Sequence, residues 1–154
     1  MGVTLTSHQI GVRLLDGWEG EIYRREAQDQ MQTFPVLHMA NLPLPAIRGD
    51  FGSGVVELMN PHNVFISLFE YGPESLDKKL FQRRGIPTGL SMGDFSPVRL
   101  HRIIKGQLGY QSFFQESMRT FCLYIVMGGK LANNRAIDDV NIILSNISIW
   151  QSRQ

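Results

Sequence analysis

The residue types in this chain that could perform chemistry are few and widely spaced. There is one cysteine, Cys122, and the histidines lie at positions 8, 38, 62 and 101. A thiol beside an imidazole forms a nucleophile pair, but no histidine shares a recognisable motif with Cys122. Cys122 also lies inside the apolar run 121–127, where a thiol is shielded and its pKa tends to rise. We therefore interpret Cys122 as a core-packing residue and predict no catalytic residues.

Motifs for metals and cofactors are also missing from the sequence. Zinc ligands come at short spacings such as His-x-x-x-His or Cys-x-x-Cys, and neither spacing occurs. Gly52-Ser53-Gly54 and Gly128-Gly129 match neither a phosphate loop nor a dinucleotide fingerprint. We predict that the chain holds no metal and no cofactor, and that these glycines serve tight turns.

The stretch with the most functional potential is the segment 41–53, which contains Pro43, Pro45, Gly49 and Gly52. Prolines and glycines at this density forbid regular structure. Long loops in compact domains are often functional. We predict that this loop contacts a protein partner or a second copy of the chain. The expected contact residues are Leu42, Leu44, Arg48, Asp50 and Phe51.

An alternative keeps the same loop but makes the chain an enzyme or a small-ligand binder. The site would then lie between the loop and the sheet and would use His38, Arg48 and Asp50.

A minor alternative concerns charge. Residues 1–77 hold 4 basic and 10 acidic side chains, whereas residues 78–154 hold 11 and 4, so the net charge of +1 divides into −6 and +7. The candidate basic patch comprises Lys78, Lys79, Arg83, Arg84, Arg102 and Lys105, with Arg99 and His101 nearby. A basic patch binds anions or nucleic acid. No nucleic-acid module signature accompanies it, so we favour a solvated surface.

The elements that must position these residues fit a single domain, 1–154, because domains usually run to ~100–200 residues. Charged residues make up 19%, below the typical ~25%, which favours an oligomer or a fixed partner. No run of apolar residues approaches the ~18 needed to span a membrane. One cysteine suits a reducing compartment, so we expect a cytoplasmic location.

The hydrophobic pattern predicts an α+β fold with a largely antiparallel sheet. Strands are expected at 35–40 and 64–71, with hairpins at 10–25 and across Ser117-Met118-Arg119. Two main helices are expected to pack on the sheet, at about 73–84 and 131–145. The first has Pro73 at its start and Gly85 after its end, and the second has apolar residues at helical spacing.

The order of these elements resembles the PsbP-like superfamily, with Asp16-Gly17-Trp18 as the turn that opens a strand. The segments 41–45 and 48–52 are also similar to those of bacterial proteins of this size. The resemblance implies a docking module without catalytic activity. We therefore predict a noncatalytic protein-binding or assembly module, a subunit of a larger bacterial complex.

Overall fold

The computed structural model describes residues 2–26, 32–130 and 133–151. Within them the chain forms eight strands and one α-helix. The strands are β1 (Thr4–Ser7), β2 (Ile10–Arg13), β3 (Glu19–Tyr23), β4 (Val36–Ala40), β5 (Val64–Tyr71), β6 (Leu108–Glu116), β7 (Arg119–Met127) and β8 (Ser148–Ile149), and the helix is α1 (Asn133–Ser145). Five single-turn 3-10 helices lie in the connections: Val56–Leu58, Pro73–Ser75, Lys79–Phe81, Met92–Asp94 and Pro97–Arg99.

The strands form two antiparallel sheets. The larger sheet has the order β3-β4-β5-β7-β6, and the smaller has the order β1-β2-β8. The predicted hairpin across Ser117-Met118-Arg119 is confirmed, but its turn is one residue shorter: Arg119 already pairs with Glu116, and the two turn residues, Ser117 and Met118, have positive φ. The predicted hairpin at 10–25 is wrong, because β2 pairs with β1 and β8 while β3 pairs with β4.

One face of the five-stranded sheet carries the main core. Alternate residues along the strands, such as Ile66 in β5 and Ile125 in β7, point to this face and are fully buried. The smaller sheet supplies Ile10 and Val12, and α1 supplies Val140 and other residues at helical spacing. Both sheets and the helix therefore share a single apolar cluster.

Loops and a single-turn 3-10 helix, rather than an α-helix, cover the opposite face of the same sheet. The alternate residues Phe65, Cys122, Tyr124 and Val126 point to it, and they form a second cluster with Val55, Val56 and Leu100. Because irregular segments lie directly on this face, it is the part of the sheet where loop side chains meet strand side chains.

The predicted fold class, with two main helices, is wrong: the described chain is mostly antiparallel β with one helix. The helix at 131–145 is confirmed from Asn133 onward, and residues 131 and 132 lie outside the described residues. The segment 73–84 instead forms two separate turns, Pro73–Ser75 and Lys79–Phe81.

The failed helix at 73–84 has a physical reason in its contacts with β6. The side-chain Nε2 of Gln115 donates to the Phe81 carbonyl at 2.7 Å, and the backbone N–H of Gln115 donates to the Arg83 carbonyl at 2.8 Å. Lys78 is extended, with ψ of 142°. A helix of twelve residues is marginal without tertiary support, and here the tertiary hydrogen bonds favour an extended strap along the edge of β6.

Arg119 ties the two sheets together. It donates to both carboxylate oxygens of Glu70 in β5, at 3.0 and 2.6 Å. It also donates to the carbonyls of His8, Gln9 and Trp150, which flank the smaller sheet. All five N–H groups of the guanidinium are therefore used. The Arg119 and Glu70 side chains are only 13% and 10% exposed.

Among the described residues there is no helix with the length and apolar content needed to cross a lipid bilayer.

Candidate functional site

The candidate site lies where the loop 41–53 covers strands β3, β4 and β5. Strand alternation and register place Glu21, His38 and Ser67 side by side in one row across these strands. Tyr23 points to the same face, two residues along β3. The loop then adds Arg48 and Asp50 above this row.

His38 is fully buried, and both of its ring nitrogens are hydrogen-bonded. Arg48 Nε donates to His38 Nδ1 at 2.8 Å, and His38 Nε2 lies 2.8 Å from the carbonyl oxygen of Asp50. Because Arg48 is a donor only and a carbonyl is an acceptor only, Nδ1 has no proton and Nε2 carries it. The imidazole is therefore neutral, in its Nε2–H form. Burial lowers the pKa of His38 to about 4.

Arg48 closes the loop from above the row. Its Nη1 donates to the Pro45 carbonyl at 2.6 Å, and its Nη2 forms an ion pair with Glu21. The Arg48 side chain is only 6% exposed although it belongs to a surface loop. Arg48 thus connects β3, β4 and the loop through one guanidinium group.

Asp50 uses both its backbone and its carboxylate. Its carbonyl accepts from His38 and from Ser67 Oγ, the latter at 2.7 Å. Its Oδ1 accepts from Tyr23 at 2.7 Å and from Arg25 Nε at 2.9 Å. Burial opposes ionisation of this carboxyl group, but the Arg25 and Tyr23 hydrogen bonds outweigh burial, so the pKa of Asp50 lies below its usual value.

We call Tyr23, His38, Arg48, Asp50 and Ser67 the loop latch. Its hydrogen bonds occupy both imidazole nitrogens, the Ser67 hydroxyl proton and most of the Arg48 donors. Burial, followed by the Asp50 carboxylate, raises the pKa of the Tyr23 hydroxyl, which stays protonated. The His38 imidazole and the Ser67 hydroxyl are thus committed to the loop and are not free to act as a general base at neutral pH. The arrangement fixes the loop on the sheet.

A glycine lets the loop approach the sheet beyond the loop latch. Gly52 has φ of +95°, and a Cβ atom there would lie 2.8 Å from a carbon of the Phe65 ring. Only glycine adopts this backbone without strain and without that clash. The close approach in turn places Phe51 on the sheet.

Phe51 belongs to a layer of stacked rings. It stacks on His101 at 4.1 Å between ring centroids and on Phe69 at 5.4 Å, and Tyr124 meets it edge to face. Leu42 and Leu44, also predicted as contact residues, are partly buried against the second cluster. Ile47, which was not among the predicted contact residues, is a large hydrophobic residue of the loop that is 90% exposed.

A cavity of about 320 Å³ opens between the loop and the sheet. We call it the loop cavity. Its walls include Phe51, Val56, Leu100, His101, Gln107 and Tyr124, and Asp50 and Arg102 also line it. Burial lowers the pKa of His101, so its imidazole is neutral at pH 7.

Gln107 is a buried polar residue in the wall of the loop cavity. It is 4% exposed, and its Nε2 donates to the Val56 carbonyl at 2.7 Å. That bond fixes the orientation of the amide, since a carbonyl accepts only from a donor. Its Oε1 has no hydrogen-bond partner among the described residues and is covered from solvent.

Cys122 is buried on the same face of the sheet, with Phe69 and Phe113 as its neighbours across the strands. Burial raises the pKa of its thiol to about 11, although Gln111 Nε2 approaches the sulfur at 3.5 Å. At neutral pH the thiol is protonated and shielded, so it is not a nucleophile.

The structure places the predicted basic patch at two ends of β6. Residues 78–84 lie near the C-terminal end of β6, where Arg84 forms a β-bridge with Gln115. At the N-terminal end of β6, Ser96 forms a β-bridge with Gly109. Gly109 and Gln115 are six residues apart along the strand, which at ~3.3 Å per residue is about 20 Å. Arg102 forms an ion pair with Glu57 at 2.7 Å. That the patch binds an anion stays a prediction.

Several residues of the site were missed from the sequence: Glu21, Tyr23, Arg25, Ser67 and Gln107. Ser67 and His38 carried a usable signal, because each is a polar residue inside an apolar strand and needs a buried partner. Within the described parts of the chain, no group of three or more His, Cys, Asp or Glu side chains could hold a metal ion.

Comparison with known proteins found no matching family model, no matching curated protein and no matching solved structure. The PsbP-like architecture therefore stays a prediction.

Proposed function

We propose that this protein is a noncatalytic binding module, a subunit of a larger assembly, that docks a protein partner with the tip of its loop 41–53. One observation carries the proposal: the two charged side chains of the loop, Arg48 and Asp50, are bonded within the loop latch, while Ile47 is left 90% exposed. A reduced, buried Cys122 suits the cytoplasm as its compartment.

The loop is prepared for binding because its shape is already fixed. Arg48 and Asp50 hold it to three strands. A loop that is ordered before association loses less conformational entropy when it binds. Burying one isoleucine side chain contributes about 1.5–3 kcal/mol.

Two further apolar side chains are exposed near a contact of the loop. The Gly54 amide donates to Glu57 at 2.8 Å, and Glu57 in turn pairs with Arg102. Leu58 and Ile103, the next residues along the chain from this pair, are both exposed. The opposite charges of Glu57 and Arg102 cancel in their ion pair. We therefore expect the partner to present an apolar face.

Two variants test this proposal. Ile47→Asp places a charge at the loop tip, and Val3→Asp does the same at an exposed valine next to the smaller sheet. Immobilised wild-type protein and both variants would be compared for the proteins they capture from source lysate, and light scattering would report self-association. We expect Ile47→Asp to abolish a capture or a dimer that Val3→Asp retains. A monomer at micromolar concentration whose captured proteins are the same for all three forms would refute the proposal.

A further inference from the structure

Within the described residues, the chain covers one edge of the five-stranded sheet and leaves the other uncovered. Along β6, the outer strand on one side, Arg84 bridges to Gln115 and Ser96 bridges to Gly109. Along β3, the outer strand on the other side, the described residues form backbone hydrogen bonds only with β4. An uncovered edge presents unpaired N–H and C=O groups and is a template for pairing with another strand. The β3 edge is therefore the part of this sheet that can accept a further strand.

The strand register shows which groups of β3 are unpaired. In an antiparallel strand, successive residues bond alternately to the neighbours on either side. Pro35 and Asn41, which flank β4, both bond to β5, so the odd-numbered residues of β4 bond to β5 and the even-numbered ones bond to β3. The β3 partners of these even-numbered residues are all odd-numbered. Gly20 and Ile22 therefore point their N–H and C=O groups away from β4, and no described residue bonds to these four groups.

β1 packs against β3 without pairing with it. The two strands belong to different sheets, and they meet through the side chain of Leu5, whose Cδ1 lies 2.9 Å from the position of a Cβ atom at Gly20. This position is on the core face of the sheet, where Ile22 also packs. The unpaired groups of β3 lie in the plane of the sheet instead, so this contact does not occupy them.

The charges of the β3 edge are complementary to a second copy of the same edge. Such a copy pairs about a two-fold axis, so the same residues contribute from both sides. An axis at Gly20 places Glu19 opposite Glu21, and an axis at Glu21 places Glu21 opposite itself. Like charges directly opposite each other destabilise a strand pair. An axis at Ile22 instead places Glu19 opposite Arg25, so charge selects this register.

Glu19 and Arg25 each keep a polar group available for the second copy. Both are odd-numbered and lie on the face of the sheet that the loop covers. Glu19 is exposed, and only its Oε2 accepts within the described residues, from the Leu44 N–H at 3.1 Å. The Arg25 side chain is 53% exposed, and its bonds to Asp50 and to the Arg48 carbonyl use Nε and Nη2. Glu19 Oε1 and Arg25 Nη1 can therefore form an ion pair between copies.

We infer that two copies of this protein associate through their β3 edges, antiparallel about a two-fold axis at Ile22, and join their larger sheets into one sheet of ten strands. Ile22 exchanges two backbone hydrogen bonds with its own copy, and Gly20 bonds to Arg24 of the second copy. Charged residues make up only 19% of the chain, and depletion of charge is typical of interfaces. The interface uses backbone groups of β3 rather than the exposed Ile47, so it is separate from the docking proposal.

Sedimentation equilibrium of the wild-type protein tests whether the dimer exists. Because one strand pair is a small interface, the dimer is expected to be weak, with a dissociation constant of roughly 10–500 μM. A wild-type protein that stays monomeric at about 1 mM would overturn the inference.

Proline variants test whether the β3 edge forms the interface. Ile22→Pro removes an N–H that points away from β4, so it should abolish the dimer and leave the fold intact. Thr6→Pro is the matched control and should keep the dimer, because Thr6 lies in the edge strand β1 and its N–H also points away from the paired strand. Circular dichroism reports whether each variant is folded. A folded Ile22→Pro that dimerises like wild type would overturn the inference, and a dimer lost only in Ile47→Asp would place the interface at the loop tip instead.

Charge reversal tests the same interface without a change of the backbone. Glu19→Arg and Arg25→Glu each place like charges opposite each other twice in the dimer, and each should weaken it at least about fivefold. The double variant exchanges the two charges and should restore the wild-type affinity. Single variants that dimerise like wild type, or a double variant that stays as weak as the single ones, would contradict the register.

Cysteine crosslinking tests the position of the two-fold axis. Ile22→Cys places two Cα atoms about 5.5 Å apart and should form a disulfide under oxidation. In Glu21→Cys the two cysteines are diagonal neighbours, about 7–8 Å apart, and should not crosslink. The native Cys122 is buried and does not compete. Crosslinking of Glu21→Cys to the same extent as Ile22→Cys, or to a greater one, would overturn the inference.

Discussion

Replacing Arg48 with methionine removes the guanidinium that closes the loop latch and keeps the length of the side chain. The substitution leaves His38 Nδ1 and the Pro45 carbonyl without their donors. Each buried acceptor that loses its partner costs ~1–3 kcal/mol. The lost ion pair with Glu21 adds little, because Glu21 is largely exposed. Because the Pro45 carbonyl is only partly buried, the sum stays below its upper limit, and we expect Arg48→Met to lower the free energy of unfolding by about 2–5 kcal/mol.

The matched control is Arg25→Met, on the same site. Arg25 also binds Asp50, at 2.8 Å, but its side chain is 53% exposed. Exposed ion pairs contribute at most ~1 kcal/mol. Arg25→Met should therefore cost less than about 1 kcal/mol.

Urea unfolding and amide hydrogen exchange measure the two variants. With an m-value of about 2 kcal/mol per M, the midpoint for Arg48→Met should fall by roughly 1–2.5 M. Exchange should rise at residues 41–53 in this variant and stay slow in Arg25→Met. If the two unfolding free energies agree within about 0.5 kcal/mol, Arg48 is not a structural residue and the account of the loop latch is wrong.

Three further predictions concern other parts of the fold. Because the pKa of His38 is about 4 in the folded chain and about 6.5 for an unperturbed histidine in the unfolded chain, the unfolded state binds more protons between these values. The free energy of unfolding should therefore fall by about 3 kcal/mol as the pH drops from ~6.5 to ~4. Urea unfolding measured across this pH range should show this fall in the control variant His62→Gln, and the fall should be absent in His38→Gln. Arg119→Met should cost ~3–5 kcal/mol in thermal or urea unfolding, because it leaves a buried carboxylate unpaired, whereas Arg102→Met, at an exposed pair, should cost less than ~1 kcal/mol. Met118→Gly should raise stability by about 0.5 kcal/mol, because Met118 has φ of +61° in a two-residue turn; a lower melting temperature would contradict this.

The parts of the fold that depend on local pattern could be predicted from the sequence. The runs 36–40 and 64–71 and the hairpin around Ser117-Met118 are apolar, β-branched or turn-forming over short distances. α1 has apolar residues at helical spacing throughout. In these elements the local preference and the tertiary environment favour the same structure.

The segment 73–84 shows why the rest could not be predicted. Its proline, its basic last turn and its glycine satisfy the local rules for a helix. Its backbone carbonyls instead accept from Gln115, more than thirty residues later in the chain. The smaller sheet likewise depends on the pairing of β2 with β8, and these two strands lie at opposite ends of the chain.

Three members of the candidate site, His38, Arg48 and Asp50, were expected together beside the loop, whereas Tyr23 and Ser67 were missed. Only the geometry shows that their polar atoms bond to each other and to Ser67. Hydrogen-bond partners ten or more residues apart do not follow from composition or spacing.

The tautomer and pKa of His38 decide whether the loop latch is structural. Long-range ¹H–¹⁵N correlation spectra of histidine-labelled protein, recorded from pH 7.5 to 4, report both properties. The account predicts a neutral Nε2–H imidazole that does not protonate until the pH approaches 4. An imidazole that titrates near pH 6.5, or that carries its proton on Nδ1, would contradict it.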